Sequence, residues 1–477
     1  MSESSFQPGL PVANPTRSYW QTQPSKISDL RSTETLPSKS KYVIVGSGVT
    51  GAMIAHKLLL AEPSASIVML EARQTCSGAT GRNGGHCRLG NFIRFEEDIE
   101  KFGEATACMV QKLEEANVQN MKTLVEELKI DCDWRQRTSS EIYTCPVVWS
   151  TVISALKYRD EYASKTGITF SEKYEIWSAG ETKERLLVAD SLGSIHFKSY
   201  TLHPYRLVCA LLEICLEKGL NLQSNTPVMK VLAKTGAGGD NESAWIVQTN
   251  RGDIEAEKVI LATNAYTGML YPPVAKFVVP TRGQMAAVRP GTKIDRNPVL
   301  ERVSCLVNSS SFQYWQSRPD GTLGEGDLLI GGGRSMGTAG EHWTLDDSTI
   351  HPNISKHLKN SMPETFYGRE VWGDNGEVVE EWTGIMGYTV DKQPIVGEDP
   401  GEKGLWICAG FNGHGMALTL EAAEALVQQM RGRQEEVDKW LPSCYKIERI
   451  FNKSSETAKS EVGAADAADV DWTPVDT

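Results

Sequence analysis

The stretch from Tyr42 to Glu71 limits what this chain can fold into more than any other. Tyr42 to Val45 is a short apolar run suited to a strand buried on both faces. It ends in Gly46-Ser47-Gly48-Val49-Thr50-Gly51 and passes into a helical pattern from Ala52 to Leu60. A second apolar run, Ile67 to Leu70, closes on Glu71, twenty residues after Gly51. Strand, glycines, helix, strand and acid at this spacing form the dinucleotide-binding fingerprint. Gly46 permits a tight turn, Gly48 lets the backbone approach a pyrophosphate, and Gly51 lets helix and strand pack closely. The helix N-terminus offers N–H groups and a positive dipole end to phosphate. Glu71 is placed to accept hydrogen bonds from ribose hydroxyls. The cofactor contacts predicted here are Gly46, Ser47, Gly48, Val49, Thr50 and Gly51, with Glu71, Ala72 and Arg73 after the second strand.

The fingerprint alone does not separate NAD from FAD. Ser77 to Gly85, SGATGRNGG, is a second run of glycine and small polar residues just after the acid. It suits a main chain lying flat against an extended cofactor, and it adds Gly78, Ala79, Thr80, Arg82, Asn83, Gly84, Gly85 and His86 to the predicted contacts. A distant junction argues the same way. Leu405 to Gly410 reads as a strand, Phe411 to Met416 as a tight loop and Ala417 to Met430 as a helix. A helix N-terminus there can stabilise negative charge developing at the pyrimidine end of a reduced flavin. Gly410, Asn412, Gly413, His414, Gly415 and Met416 are therefore predicted to contact it.

These segments resemble the D-amino-acid oxidase superfamily of flavoproteins, especially the branch similar to gamma-glutamylputrescine oxidoreductase, with its GxSGRNGG-like segment. The resemblance spans roughly residues 40 to 435, and Glu381 to Pro394 looks like its W-x-G…D-x-x-P signature. It implies an α/β (α+β) fold. A Rossmann-like FAD-binding domain with a parallel sheet is interleaved with a substrate domain on a large, mostly antiparallel sheet. It also implies adenine contact at Val228, and flavin contact at Thr263 and Asn264, which end the apolar run 258–265. The expected division is 1–40 as an extension, 41–130, 196–280 and 375–445 as the FAD domain, 131–195 and 281–374 as the substrate domain, and 446–477 as a tail.

Locally, 95–128 and 150–166 read as helices, the latter with Ser150 as N-cap. His203 opens a helix to about Lys218, 236–242 reads as a turn, and 340–370 as a helical excursion with surface charge. The first 40 residues, rich in Ser, Thr, Pro and Gln, read either as a mobile tail or as an extension anchored by Tyr19 and Trp20.

At 477 residues the chain is long enough for two domains. A net charge of −12 argues against a nucleic-acid partner, which needs a basic face. Ten cysteines without CxxC spacing indicate neither a metal site nor a disulfide framework, and point to a reducing compartment. No apolar run reaches membrane-span length, and neither a secretory signal nor a peroxisomal address is evident. The expectation is a cytoplasmic protein with no membrane partner and an oligomeric state the sequence leaves open.

The resemblance implies oxidation of a carbon–nitrogen bond in a small amine or amino acid. Hydride passes to flavin N5, the imine hydrolyses, and dioxygen or another acceptor reoxidises the flavin. His86, Arg88 and Trp382 are the candidate catalytic residues: His86 to orient substrate or tune the amine proton, Arg88 to pair a carboxylate, Trp382 to wall the ring. Arg282 and Arg334 are alternatives to Arg88. FAD is expected to be non-covalent, with His86 or Cys87 the positions for any covalent link. Phe312 falls near the place of the cysteine that the sarcosine oxidase branch uses for that link, so the resemblance implies that this link is absent. Two rivals stay open, an NAD(P)-dependent dehydrogenase and a flavin-binding protein without turnover. Oxidase against dehydrogenase stays open as well.

Overall fold

The apolar run that opens the glycine motif becomes the middle of a sheet. The computed structural model describes residues 6–234, 245–295, 297–308 and 312–451. In it the strand Lys39–Val45 pairs in parallel with Ile67–Leu70 on one side and Gly252–Leu261 on the other. Asn221–Gln223 and Leu405–Ala409 extend the parallel order at either end, and Ile395–Glu398 closes one edge antiparallel. Val228–Ala233 and Trp245–Thr249 form an antiparallel layer on the first half of Gly252–Leu261, completing eight strands.

The central strands are apolar at successive positions because both faces are covered. Tyr42, Ile44, Met69, Ile260 and Cys408 share a core with the helices Val49–Ala61, Pro204–Glu217 and Thr419–Met430. Val43, Val45, Val68, Leu261 and Ile407 pack instead with Val228, Val247, Val274 and Phe277. Strands pointing the same way open a crevice at their C-terminal ends where the order reverses, which is where this architecture binds ligands.

A second, nine-stranded sheet lies alongside. It runs Val378–Thr389, Val278–Val288, Leu328–Gly332, Phe312–Ser317, Val303–Val307, Arg135–Tyr143, Gly193–Thr201 and His86–Cys87, with Tyr174–Ser178 also on Gly193–Thr201. Among the described residues only its pair Val303–Val307 with Arg135–Tyr143 is parallel. The two-sheet α/β architecture is the one anticipated.

Local differences have local causes. The helical pattern over 95–128 is split at Gly103, whose φ of +81° ends Phe95–Phe102 before Glu104–Glu127 begins. The helix read from Ser150 starts at Pro146, because proline fits the first turn, where its missing N–H costs nothing. Val378–Thr389, grouped from sequence with the FAD segments, is an edge of the second sheet, paired along its length with Val278–Val288. The 340–370 excursion carries the buried Phe366 and Tyr367 as well as surface charge. Ile447 is buried and Arg449 pairs with Asp391, so the chain is held as far as Phe451. The turn expected at 236–242 and the tail beyond residue 451 lie outside the described residues.

Candidate active site

The first bend is built by steric exclusion. Gly46 leaves its strand at φ +107°, and a Cβ there would lie 2.6 Å from the Ala262 carbonyl oxygen. A Cβ on Gly51 would lie 2.0 Å from the Gly46 carbonyl oxygen, so helix Val49–Ala61 seats against the strand only with glycine at that position. Gly48 has no side chain to cap the helix, and Thr80 supplies the acceptor: its Oγ1 takes the Val49 N–H at 3.0 Å. Ser47 turns away from the crevice. Its N–H and Oγ donate to one Glu71 carboxylate oxygen at 3.1 and 2.6 Å, and its Oγ accepts the Cys76 N–H at 2.9 Å. The other Glu71 oxygen accepts the Arg73 N–H at 3.0 Å. The Arg73 guanidinium is also turned away, in a buried bidentate pair with Asp347 at 2.9 and 3.0 Å.

The second glycine run is shaped mainly by the protein itself. Added Cβ atoms would strike the Cys76 carbonyl oxygen at Gly81 (2.2 Å), Tyr314 at Gly84 (2.7 Å) and the Leu202 carbonyl oxygen at Gly85 (2.6 Å). Only at Gly78 would a Cβ meet nothing within 4 Å. Arg82 Nε donates to the Ser77 carbonyl at 2.7 Å and Nη1 to the Thr383 carbonyl at 2.8 Å. Burial holds the Arg82 guanidinium down to about 10.

These elements open onto one continuous cavity of about 1340 Å³, larger than the usual range of roughly 300–1,000 Å³ for small-molecule sites. Gly46, Gly48, Val49, Thr50, Glu71, Ala72 and Val228 line it, as do Thr263 and Asn264. So do Gly78, Ala79, Thr80, Arg82, Asn83, Gly84, His86 and Arg88. The distant bend contributes Asn412, Gly413, His414, Gly415 and Met416. Ser47, Gly51, Arg73, Gly85, Gly410 and Trp382 lie outside this lining. For Ser47, Gly51 and Gly85 the role is to hold the wall from behind.

The distant bend is tied to both sheets by two asparagines, Asn264 beyond the first sheet's Gly252–Leu261 and Asn412 against the second sheet's Val378–Thr389. Asn264 Oδ1 accepts the Gly410 N–H at 3.0 Å, while Asn412 Oδ1 accepts the Thr389 N–H at 2.8 Å. Gly410 and Gly413 both need positive φ, +73° and +71°. The helix starts at Thr419, later than the pattern suggested, after a 3-10 turn over Gly415–Ala417. Its Leu420 and Glu421 N–H groups are capped by Asn117 Oδ1 at 2.9 and 3.1 Å, so the helix start is sealed by the helix Glu104–Glu127. The 3-10 turn, Leu418 and Thr419 line the cavity, and the buried Thr419 hydroxyl has no partner among the described residues. His414 Nε2 meets Glu114 Oε1 at 2.5 Å, and Glu114 also accepts the Gly90 N–H.

The three candidate catalytic residues have different fates. His86 stands edge-on to Tyr314, ring centroids 5.3 Å apart, and its Nε2 has no partner among the described residues. Burial, with the Arg88 charge adding to it, pushes the imidazole down to about 3, so it is neutral near pH 7. Arg88 donates to Glu141 Oε1 at 2.7 Å, and the Tyr143 hydroxyl donates to the other Glu141 oxygen at 2.7 Å. Its charge is therefore already matched. Arg282 is likewise committed, to Glu341, while Arg334 lies over the Tyr388 ring at the cavity wall. Trp382 does not wall the cavity. It shares a strand face with Gly384 and Met386, but the loop carrying Arg82 lies over it and accepts its indole N–H at 2.7 Å. Cys87 is buried with Sγ 3.4 Å from the Met416 carbonyl oxygen, off the cavity surface.

Glu141, Cys305, Tyr314 and Met285 line the cavity unforeseen, because strand pairing brings them there from four separate strands. The hydrophobic alternation of those strands marked a sheet but gave no face. Among the described residues no group of three His, Cys, Asp or Glu side chains is placed to hold a metal ion, and no helix is long and apolar enough to cross a membrane.

Comparison with known proteins adds a further finding. The model of the DAO family, FAD dependent oxidoreductase, matches residues 41–429. The probable oxidoreductase OrdL of Rhizobium meliloti is 25% identical over 409 residues, covering 84% of this chain and 85% of that protein. Gamma-glutamylputrescine oxidoreductase of Escherichia coli is 23% identical over 400 residues, 83% of this chain and 84% of that one. The crystal structure of glycine oxidase from Geobacillus kaustophilus superposes with a TM-score of 0.64 at 21% identity, over 83% of this chain and 96% of the other. That likeness shows the fold.

Proposed function

This chain belongs to the DAO family of FAD-dependent oxidoreductases, and from that premise we propose that it oxidises the carbon–nitrogen bond of a small amine or amino acid. The observation that carries the reading is the single cavity of about 1340 Å³ bordered by both glycine bends. The residues fit FAD. The Gly46–Gly51 turn is held to glycine by backbone contacts, Glu71 lines the cavity at the end of the second strand, and the buried Thr419 hydroxyl at the far bend lacks a partner among the described residues.

In this reading Gly46 to Thr50 hold the pyrophosphate, Glu71 and Ala72 the ribose, and Val228 the adenine. The bend from Asn412 to Thr419 holds the flavin ring. When bound there, FAD would supply a hydride acceptor at N5 for the carbon beside the amine nitrogen, with dioxygen or another acceptor as the final oxidant. The eight-stranded sheet serves the cofactor and the nine-stranded sheet the substrate. A neutral His86 takes a hydrogen bond from, or gives one to, the substrate nitrogen without adding charge that would keep the amine protonated. Tyr314 and Met285 wall the same region. Cys87, buried and outside the cavity lining, supports a non-covalent cofactor, and ten unpaired cysteines support a reducing, cytoplasmic setting.

The test is purification and anaerobic titration. The protein is expected to be yellow, with absorbance at about 450 nm as flavins show, and to bleach with at least one member of a panel of polyamines, N-methyl amines and amino acids. Acid precipitation is expected to leave the colour in the supernatant. A colourless protein that takes up no FAD, or a yellow one that no amine bleaches, overturns the proposal.

A further inference from the structure

The segment before the family match is built into the cavity wall. Gly9, Leu10 and Pro11 line the cavity, and the Val12 carbonyl accepts from Arg73 Nη1 at 3.2 Å, one residue from Ala72 and two from Glu71. Thr16 bridges to the second sheet: its N–H donates to the Asp347 carbonyl at 2.7 Å, and its Oγ1 accepts the Thr383 N–H at 2.9 Å. Three side chains then satisfy three carbonyls of the loop from Cys76 to Asn83. Ser18 Oγ donates to Gly81 at 2.6 Å, Trp20 Nε1 to Asn83 at 2.6 Å and Gln21 Nε2 to Cys76 at 3.3 Å. Ser18 and Trp20 are essentially unexposed. The same run caps the first bend through Thr80 Oγ1 and fixes Ser47 through the Cys76 N–H.

We infer that residues 9–21 are a working part of the cofactor site, a strap that closes the wall beside Glu71 and Ala72 and positions the loop from Cys76 to Asn83. The inference rests on the FAD reading above. It follows from the direction of the contacts. The loop's carbonyls turn outward to the strap, which leaves Gly78, Ala79 and Thr80 facing the cavity. Without the strap those buried carbonyls lose their donors and the loop loses its orientation. None of these groups reacts; they act by holding the loop that does the binding.

The experiment measures FAD affinity by quenching of flavin fluorescence, in the full chain, in a deletion of residues 2–12, and in Trp20→Phe and Ser18→Ala. The deletion removes the cavity-lining segment Gly9–Pro11 but none of the buried Ser18–Trp20 anchor. It is expected to raise the FAD Kd by about tenfold or more with little change in the thermal midpoint of the apoprotein, a combination that a merely structural role does not give. Ser18→Ala nearly keeps the packing volume, Trp20→Phe keeps a buried aromatic ring of smaller size, and each removes one donor, so each is expected to weaken FAD by a few-fold. An FAD Kd within about twofold of the full chain in all three variants overturns the inference. A full chain that takes up no FAD overturns both it and the functional reading, whereas tight binding by the full chain and its variants alike overturns only the strap.

Discussion

Lowering the pH from 7.5 to 5.0 is expected to unfold the apoprotein, and buried histidines supply the reason. Burial pushes His56 down to about 4, His86 and His196 to about 3, and His203 to about 2, from an ordinary 6.5. Each folded value is depressed, so the unfolded chain binds the extra proton between pH 6.5 and the folded value. Stability is present above 6.5 and lost as the pH falls through that window. At pH 5 nearly four more protons sit on the unfolded chain, a slope of about 5 kcal/mol per pH unit, which integrates to about 8 kcal/mol from pH 7.5 to 5.0. Asp98 works the other way. Burial raises it to about 6, so its protonation below pH 6 returns about 1 kcal/mol. Burial also raises the Glu172, Asp327 and Glu421 carboxyls, which offset the loss in the same sense as Asp98. The histidine contribution of about 8 kcal/mol is still of the size of an ordinary domain's whole stability. Urea titrations at pH 7.5, 6.5, 5.8 and 5.2 are expected to show a midpoint that falls steeply below pH 6.5. A midpoint that does not move between pH 7.5 and 5.2 refutes the neutral burial of these rings.

Gly51→Ala places a Cβ 2.0 Å from the Gly46 carbonyl oxygen; overpacking of that kind costs about 1–3 kcal/mol, and FAD affinity measured by fluorescence is expected to fall about tenfold or more. Glu141→Gln removes the charge that matches buried Arg88. A thermal midpoint lowered in line with a loss of about 3 kcal/mol is expected, with tighter binding of simple carboxylates to the freed guanidinium by calorimetry. Asn117→Ala removes the acceptor for two helix-start N–H groups and the donor to the Met416 carbonyl. A stability loss of about 1–2 kcal/mol is expected together with faster FAD release, while an unchanged release rate would separate the cap from the bend.

Much of the first sheet is legible in the sequence because its signals are local. A strand covered on both faces must be apolar at consecutive positions, and the turn at Gly46 admits no side chain, so both leave marks in neighbouring residues. The second sheet is legible only as alternation. Its order, with Arg135–Tyr143 parallel to Val303–Val307, joins segments 160 residues apart and places Glu141 beside Cys305. The same limit explains Trp382, whose place behind the loop depends on a neighbour 300 residues distant in sequence.

By itself the sequence determined the glycine bends, the acid after the second strand and hence the class of cofactor, because each is a constraint between residues close in the chain. Only the tertiary structure decided that Ser47 and Arg73 brace the wall instead of facing the cavity, that Glu141 neutralises Arg88, that Asn117 caps the far helix, and that Ser18 and Trp20 hold the second glycine run. Those are choices of partner among groups far apart in sequence. A side chain's donor count and charge say that it needs a partner, and only packing says which one it finds.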